Sequence, residues 1–575
     1  MRQRALSMLR ECTLGLDFGT LSCRAVLVAV DGGATLGSSV VEFSRGIVTH
    51  GQPDVVATQH PEDYIAAARE AAARALVAAG VHKSAVLGVG VDFTACTLVP
   101  CLNDSTPLLE VLGEERLHAW PKLWKHRGAL TQAAELSAAT AAAGWRHAER
   151  FGGKISEQWL HPKAMELWDE DRVAFDTADL LLEAGDWFVW RVTAAEGRAG
   201  RIALDAPPPV RSACQAGYKA CWSKREGYLL PDPLLDELRS GGFSSALRDR
   251  LRGRVAPPGE RAGVLSEWGA ELLGLAPGTP VSTSTIDAHA AVPGCGAGAA
   301  HELVLVLGTS GCYMMNGKPS SDVAAVPGCL GRVADGILPG LVGFELGQSA
   351  LGDAFHWLAT LTGRSVRELA ALDAAERDAL ARTAAAAGAT PTTPTGVLDE
   401  ALMLDFLNGS RSPYNDGRLQ AVISGLSLGT TPAALYRAIA AGLVCGTRGV
   451  VGAFGAACDG ETGRPAPIAI ERVIAAGGMA RSAPQYVQAL ADALERPVEI
   501  SPVEQASAQG AAVLGAVAAG VFDDARAAVE GMTPLAPGGP VVVSPNPSEA
   551  GRYAALAERY DRLAALSLAE QGSAQ

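Results

Sequence analysis

Two apolar runs about half a chain apart, each broken by a short glycine turn, stand out in the hydrophobic pattern. The first is Leu14-Gly-Leu-Asp-Phe-Gly-Thr-Leu-Ser-Cys-Arg24, running into residues 25–30; the second is Leu303-Val-Leu-Val-Leu-Gly-Thr-Ser-Gly-Cys312, running into Tyr313-Met-Met315. Each predicts a buried strand, a tight turn and a returning strand. Glycine lets a backbone approach a ligand closely, and adjacent N–H groups beside a hydroxyl form an anion cradle. Two such tips facing each other would grip a polyphosphate from both sides.

Elsewhere the period lengthens. Residues 61–79 are alanine-rich and predict a helix with proline at its first position. Residues 85–91 form a short apolar run that delivers Asp92-Phe-Thr-Ala-Cys-Thr97 to a loop. Residues 177–192 predict a helix capped by Thr177, and 194–210, with three consecutive prolines, a surface loop. Residues 281–285 lead into Asp287 and a run of small residues, and a second half begins at His301. There, 373–396 reads as a helix and then a Thr/Pro loop at 390–395, and 432–451 as a long helix. Residues 468–476 predict a buried strand that Gly477-Gly478 turns into a helix over 483–494; a strand at 497–500 and a helix at 507–519 follow. Strands and helices interleave in both halves, which is the α/β class.

At 575 residues the chain exceeds one core, so two or more domains are expected. A net charge of −14 opposes binding to nucleic acid or to an anionic membrane through a basic face. Eleven scattered cysteines without a C-x-x-C pair read as reduced thiols of a cytoplasmic protein. Residues 1–11 carry three arginines but no apolar run suited to a signal peptide, and read as a disordered extension; the tail after 571 is expected to fray. No segment reads as a membrane span.

The candidate chemistry sits at strand ends. Asp17 precedes the Gly19-Thr20 turn, and a carboxylate beside a phosphate cradle repels its ligand unless a cation such as Mg²⁺ lies between them. An Asx turn is the plainer alternative; Thr20, Ser22 and Arg24 nearby favour the metal. Asp287 ends a strand and opens a helix, where it suits a base taking a hydroxyl proton, or simply a helix cap. Gly477-Gly478 lets a flat ring lie against backbone. Lys219 and Glu345 are polar residues in apolar surroundings, for which a surface salt bridge is the default. His289 reads as a packed core histidine. Neither a Walker lysine loop nor a complete G-x-G-x-x-G after a strand is present.

These features, with Gly15-Leu-Asp-Phe-Gly-Thr-Leu-Ser22, Gly90-Val-Asp-Phe-Thr-Ala-Cys-Thr97, Lys122-Leu-Trp-Lys-His126, Phe151-Gly-Gly-Lys-Ile-Ser156, Ala216-Gly-Tyr-Lys-Ala220, Thr285-Ile-Asp-Ala-His289, Glu345-Leu-Gly-Gln-Ser349 and Gly425-Leu-Ser-Leu-Gly429, resemble the FGGY carbohydrate kinases of the actin-like ATPase superfamily, most closely the members acting on ribulose. The resemblance implies two ribonuclease-H-like domains, a sugar-binding one at 12–298 and an ATP-binding one at 299–570, with the active site in the cleft between them. It implies ATP-dependent phosphorylation of L-ribulose at its terminal hydroxyl, giving L-ribulose 5-phosphate in L-arabinose breakdown. By the same resemblance Asp287 is the general base and a sugar contact, and Asp17 the Mg²⁺ carboxylate. Thr20, Ser22 and Arg24 serve the first phosphate turn, Gly308 and Thr309 the second. Ala95, Lys219 and Glu345 hold the sugar, and Gly477 and Gly478 face the adenosine. The family also points to a homodimer. A sibling kinase for D-ribulose, xylulose or glycerol differs mainly at Ala95, Lys219 and Glu345. A chaperone-like ATPase would need a peptide-binding domain, and a sugar-sensing regulator a DNA-binding module, for which the chain shows no room. Relatives often carry an asparagine near the positions of Ser482 and Ala483.

Overall fold

The first glycine-turn segment folds as a hairpin. Cys12–Phe18 is strand β1, buried along its whole length, and Ser22–Ala29 is β2, antiparallel to it from Cys12↔Ala29 to Phe18↔Cys23. β3 (Thr35–Glu42) extends the meander. Helix α1 (Pro61–Ala79) then begins at His60, whose ring accepts from the Glu62 N–H, with Pro61 in its first turn; it stops at Gly80, which takes the left-handed conformation with φ 62°. The chain returns as β4 (Val86–Phe93), parallel to β1. β5 (Arg261–Val264), β6 (Pro280–Ser282) and β7 (Thr285–Ile286) complete a sheet of order β5-β6-β4-β1-β2-β3, with β7 also beside β4.

The second half repeats the plan. β8 (Glu302–Leu307), β9 (Gly311–Gly317), β10 (Gly331–Ala334), β11 (Val342–Gln348), β12 (Arg472–Ala476), β13 (Val498–Ile500) and β14 (Val541–Val543) pair in the order β10-β11-β9-β8-β12-β13-β14. From β3 to β5 the first sheet pairs antiparallel, antiparallel, parallel, parallel, antiparallel, and from β11 to β14 the second does the same. The two hairpin tips therefore hold equivalent places in two equivalent sheets.

The computed structural model describes residues 10–197, 201–386, 401–534 and 539–573. Most of the extension expected at 1–11, the Thr/Pro loop at 390–395, part of the 194–210 loop and the chain's last two residues lie outside the described residues.

Helices α2 (Ala184–Thr193), α3 (Ala213–Lys219), α4 (Asp287–Gly294), α5 (Gly352–Thr362), α6 (Pro432–Gly452), α7 (Gly478–Ser482) and α8 (Ala506–Ala519) matter most for the site. α8 comes from the second half yet lies on the first sheet. A Cβ on Gly15 would fall 1.9 Å from the Ala508 carbonyl oxygen, and one on Gly90 1.7 Å from that of Ala511. Hydrogen at those positions lets helix and sheet backbones touch. α4 and α8 cross as closely, at Gly294 and Gly510. Val292, Val304, Met314, Ile474 and Leu514, from both halves, share one buried cluster.

Residues 177–192 are not one helix. Thr177 is the last residue of Arg172–Thr177, its hydroxyl donating back to the Val173 carbonyl, and Asp171 is the cap. Leu180–Glu183 is a strand paired with Leu98–Cys101, and only then does α2 begin. Pairing with a distant strand overrides the local helical pattern. The strand expected at 468–476 shortens to β12. By length and composition, α6 alone among the described residues is long and apolar enough to span a membrane, but it packs into the second core through Ile439, Leu443, Val444 and Val450. All eleven cysteines are free thiols.

Candidate active site

Three strands of the first sheet end in carboxylates. The parallel register sets Asp17 beside Asp92 and Phe18 beside Phe93, and Phe93 beside Ile286, so Asp287 follows on the same rim as the first residue of α4. Asp17 is buried and its Oδ2 accepts from Arg24 Nη1 at 3.0 Å, a fixed ion pair rather than an Asx turn. Asp92 is fully buried and neither of its oxygens has a hydrogen-bond donor among the described residues. Burial first, then the charges of Asp17 and Asp287, push its carboxyl well above the usual range. Asp287 retains partial exposure, and its Oδ1 accepts from the Ala288 N–H at 2.6 Å. Burial and then Asp17 raise its carboxyl to about 7. It is not the helix cap, a position that falls to Ile286.

The hairpin tips carry Thr20 and Gly308-Thr309. Within each turn one amide is used locally, Gly19 to the Ser22 carbonyl at 3.0 Å and Gly308 to that of Ser310 at 3.2 Å. The amides of Thr20 and Leu21, and of Thr309 and Ser310, find no acceptor among the described residues. Both tips thus expose adjacent N–H dipoles. The first is braced by Trp124 Nε1 on the Thr20 hydroxyl at 3.1 Å and Gln59 Nε2 on its carbonyl at 2.6 Å; Ser22 is buried at its base. The second is braced by the start of α5, where Leu351 and Gly352 N–H groups donate to Thr309 and Gly308. β8 and β12 run parallel side by side, so Gly477 lies next to the second tip: a Cβ there would sit 2.6 Å from the Leu307 oxygen, and its φ is 93°. A Cβ on Gly478 would meet nothing within 4 Å.

Lys219 and Glu345, for each of which a surface salt bridge was the default, are instead buried and paired with each other, Nζ to Oε2 at 2.9 Å. Lys219 ends α3 in the first half and Glu345 lies in β11 in the second. Arg411 Nη2 donates to the other Glu345 oxygen at 3.1 Å, and His289 Nε2 stands 3.7 Å from Oε2. Burial opposes ionisation of Glu345, but its cationic neighbours, Lys219 foremost, outweigh it and hold the carboxyl down at about 2. His289 is buried as expected, its ring 4.2 Å from that of Tyr218; burial lowers it to about 4, so it is neutral. Ala95 lies on the loop after β4, half-buried. Next to it Cys96 takes a left-handed φ of 58°, and Lys219 and Glu345 are among the charges felt by its thiol.

The structure therefore brings Asp17, Thr20, Ser22, Arg24 and Asp287 to one sheet rim, joins Lys219 to Glu345, and gathers Gly308, Thr309, Gly477 and Gly478 at the rim of the other. Residue patterns passed over Asp92 and Arg411. A second Gly-x-Asp-Phe, Gly90-Val-Asp-Phe93, was a signal for Asp92, whereas nothing local marks Arg411. Behind the Ala95 loop, a buried network joins Lys122 to Glu166 at 2.6 Å and His126 to Glu166 at 2.9 Å. His118, Glu166 and Glu170 could together ligate a metal, but the Lys122 ammonium lies 3.0 Å from the His118 ring and already pairs with Glu166.

Residues 303–519 match the C-terminal domain model of the FGGY family of carbohydrate kinases. A ribulokinase of Anoxybacillus flavithermus is 36% identical over 89% of this chain and 86% of its own length, and one of Mycolicibacterium smegmatis is 35% identical over 96% and 93%. Among solved structures, a xylulose kinase of Rhodospirillum rubrum superposes with a TM-score of 0.73 at 21% identity, covering 97% of this chain and 99% of its own. A Plasmodium falciparum glycerol kinase with ADP gives 0.72 at 12%, covering 96% and 98%. The described residues share their fold, and with relatives above 30% identity along nearly its full length, the chain belongs to the FGGY family of carbohydrate kinases.

Proposed function

We propose that this protein is a phosphotransferase that moves the γ-phosphoryl group of ATP to the terminal hydroxyl of a ribulose, L-ribulose first among candidates, yielding L-ribulose 5-phosphate in the cytoplasm for L-arabinose breakdown. The single observation that carries the reading is Asp287: a carboxyl at the head of α4, raised to about 7, on the rim that also holds the first hairpin. A base of that strength is largely ionised just above neutrality and can take the sugar's proton as the phosphoryl group arrives. The sugar oxygen forms its bond to the γ-phosphorus, the bond to the β-phosphate oxygen breaks, ADP leaves, and the proton ends on Asp287.

Ala95, Lys219 and Glu345 would hold the sugar, with Glu345 fixed as an anion for its hydroxyls. Thr20, Ser22 and Arg24 would face the phosphates from one side and Gly308-Thr309 from the other, through the amides left free at both tips. Gly478, open on its Cα side, and Gly477 would admit the adenosine.

The residues also suit Mg²⁺. Three carboxyls share the rim with Arg24 paired to Asp17 alone, both Asp92 oxygens lack a donor among the described residues, and the ligating atoms on offer are all hard oxygens. Asp17 would hold the ion, which supplies charge neutralisation at the phosphates.

The test is sugar-dependent ADP release from MgATP across L-ribulose, D-ribulose, D-xylulose, L-xylulose, ribitol and glycerol. Highest kcat/KM for L-ribulose supports the reading. Preference for another sugar keeps the kinase and overturns the substrate, and no sugar-stimulated turnover overturns both.

A further inference from the structure

The Glu345 carboxylate is held on both oxygens, and one of its two cations has a second attachment. Arg411 gives Nη2 to Glu345 Oε1 at 3.1 Å and Nη1 to Cys312 Sγ at 3.6 Å. Cys312 lies in β9, directly after the turn that bears Gly308 and Thr309. One guanidinium thus reaches both the carboxylate and the strand leaving the phosphate turn, and keeps about a third of its side-chain surface open.

The loop that carries it is tied down on two sides. Ser412 N donates to the Gly347 carbonyl at 3.0 Å, and the Gly347 N–H to Ser412 Oγ at 3.2 Å, two residues along β11 from Glu345. Three residues further, Asn415 crosses to the first half of the chain: its Nδ2 donates to the Gly152 carbonyl at 3.0 Å, and Lys154 Nζ donates to the Asn415 carbonyl at 3.1 Å. Gly152 and Lys154 belong to Phe151-Gly-Gly-Lys154, which the proposed chemistry leaves without a role.

We propose that Arg411 is a positioning residue that fixes the Glu345 carboxylate for the sugar, and that the strap 410–416, anchored across the halves through Asn415, makes this grip depend on how the halves meet. The inference rests on the reading that Glu345 holds the sugar. With Arg411 in place, both Glu345 oxygens are directed; without it, Oε1 is free to turn with Lys219 as the only cation on the side chain, His289 being neutral.

The experiment compares the whole protein with Arg411→Met, Arg411→Lys and Asn415→Ala. It measures KM for L-ribulose and for MgATP separately, kcat, ADP release without sugar, and melting temperature. Arg411→Met is expected to raise the sugar KM about tenfold and the sugar-independent share of ADP release, with the MgATP KM within about twofold; Arg411→Lys should recover part of the loss. Asn415→Ala, which touches neither Glu345 nor either substrate site, should raise the sugar KM in the same direction, and the double variant should fall short of the product of the two effects. An unchanged sugar KM in Arg411→Met, or equal rises in both KM values with a lowered melting temperature, overturns the proposal. Absence of ketopentose-dependent turnover in the unaltered protein overturns the substrate reading instead, so the two failures are distinct.

Discussion

Asp17 and Asp92 occupy one rung of two parallel strands, and the phenylalanines that follow them, Phe18 and Phe93, stack with ring centres 4.5 Å apart and planes within 11°. Two carboxyls fixed side by side, with a guanidinium on Asp17 alone, call for a shared proton or a cation. Asp17→Ala should therefore raise the Mg²⁺ concentration giving half-maximal turnover at least tenfold, at saturating ATP and sugar. A Mg²⁺ titration that superposes on that of the unaltered protein would contradict the metal assignment.

Asp287→Asn keeps the volume and a hydrogen-bond acceptor for the Ala288 N–H but removes the base. Turnover should fall by about 10³, within the usual range for general-base catalysis, while calorimetry still detects both ATP and sugar binding. Near-normal kcat in this variant would remove Asp287 from the chemistry.

The same carboxyl sets a pH dependence. Raised to about 7, it must lose its proton before it can accept another, so kcat/KM for the sugar should climb tenfold per pH unit below about 7 and level off above it. Asp17 is the second cause of the raised value, so Asp17→Asn, at saturating Mg²⁺, should move the limb to lower pH. A flat profile between pH 5.5 and 8 would count against the assignment.

Two glycines separate packing from binding. A Cβ at Gly90 collides with the α8 backbone at 1.7 Å, so Gly90→Ala should cost about 1–3 kcal/mol or more and lower the melting temperature visibly. Gly478 has open space, so Gly478→Ala should melt as the unaltered protein does and change only the KM for MgATP. Equal melting temperatures for the two variants would refute this account of the α8 contact.

Breaking the pair between the halves has a different signature. Lys219→Met leaves Glu345 buried beside Arg411 alone, and losing one partner of a buried pair typically costs about 3–5 kcal/mol. The variant should lose stability at neutral pH and regain part of it in Lys219→Met/Glu345→Gln, measured by urea unfolding.

Much of the fold was legible because its signals are local. Both hairpins rest on apolar runs bounded by Gly-Thr, and α1 on alanine content with a proline start and a glycine stop. The misread stretch, 177–192, contains Leu180–Glu183, whose strand state comes from a partner some eighty residues away and leaves no local trace. At the site, Asp17 and Asp287 stand out as carboxylates at strand ends beside glycine or small residues. Lys219 and Glu345 were singled out for their apolar neighbours, with an exposed salt bridge as the default for each, because only the folded chain shows that residues 126 apart in sequence are buried against one another. Arg411 sits on a loop of polar residues, where one more arginine carries no signal until Glu345 is found opposite it.

The crossing of α8 onto the first sheet limits how the gene can be divided. A product ending at residue 298 would leave the Gly15 and Gly90 face of β1 and β4 bare, and one starting at 299 would carry α8 with its small-residue side unmatched. Neither piece should be a self-sufficient folding unit. Co-expressed, however, the two should complement each other, with the 506–519 helix of one fragment supplying the missing wall of the other.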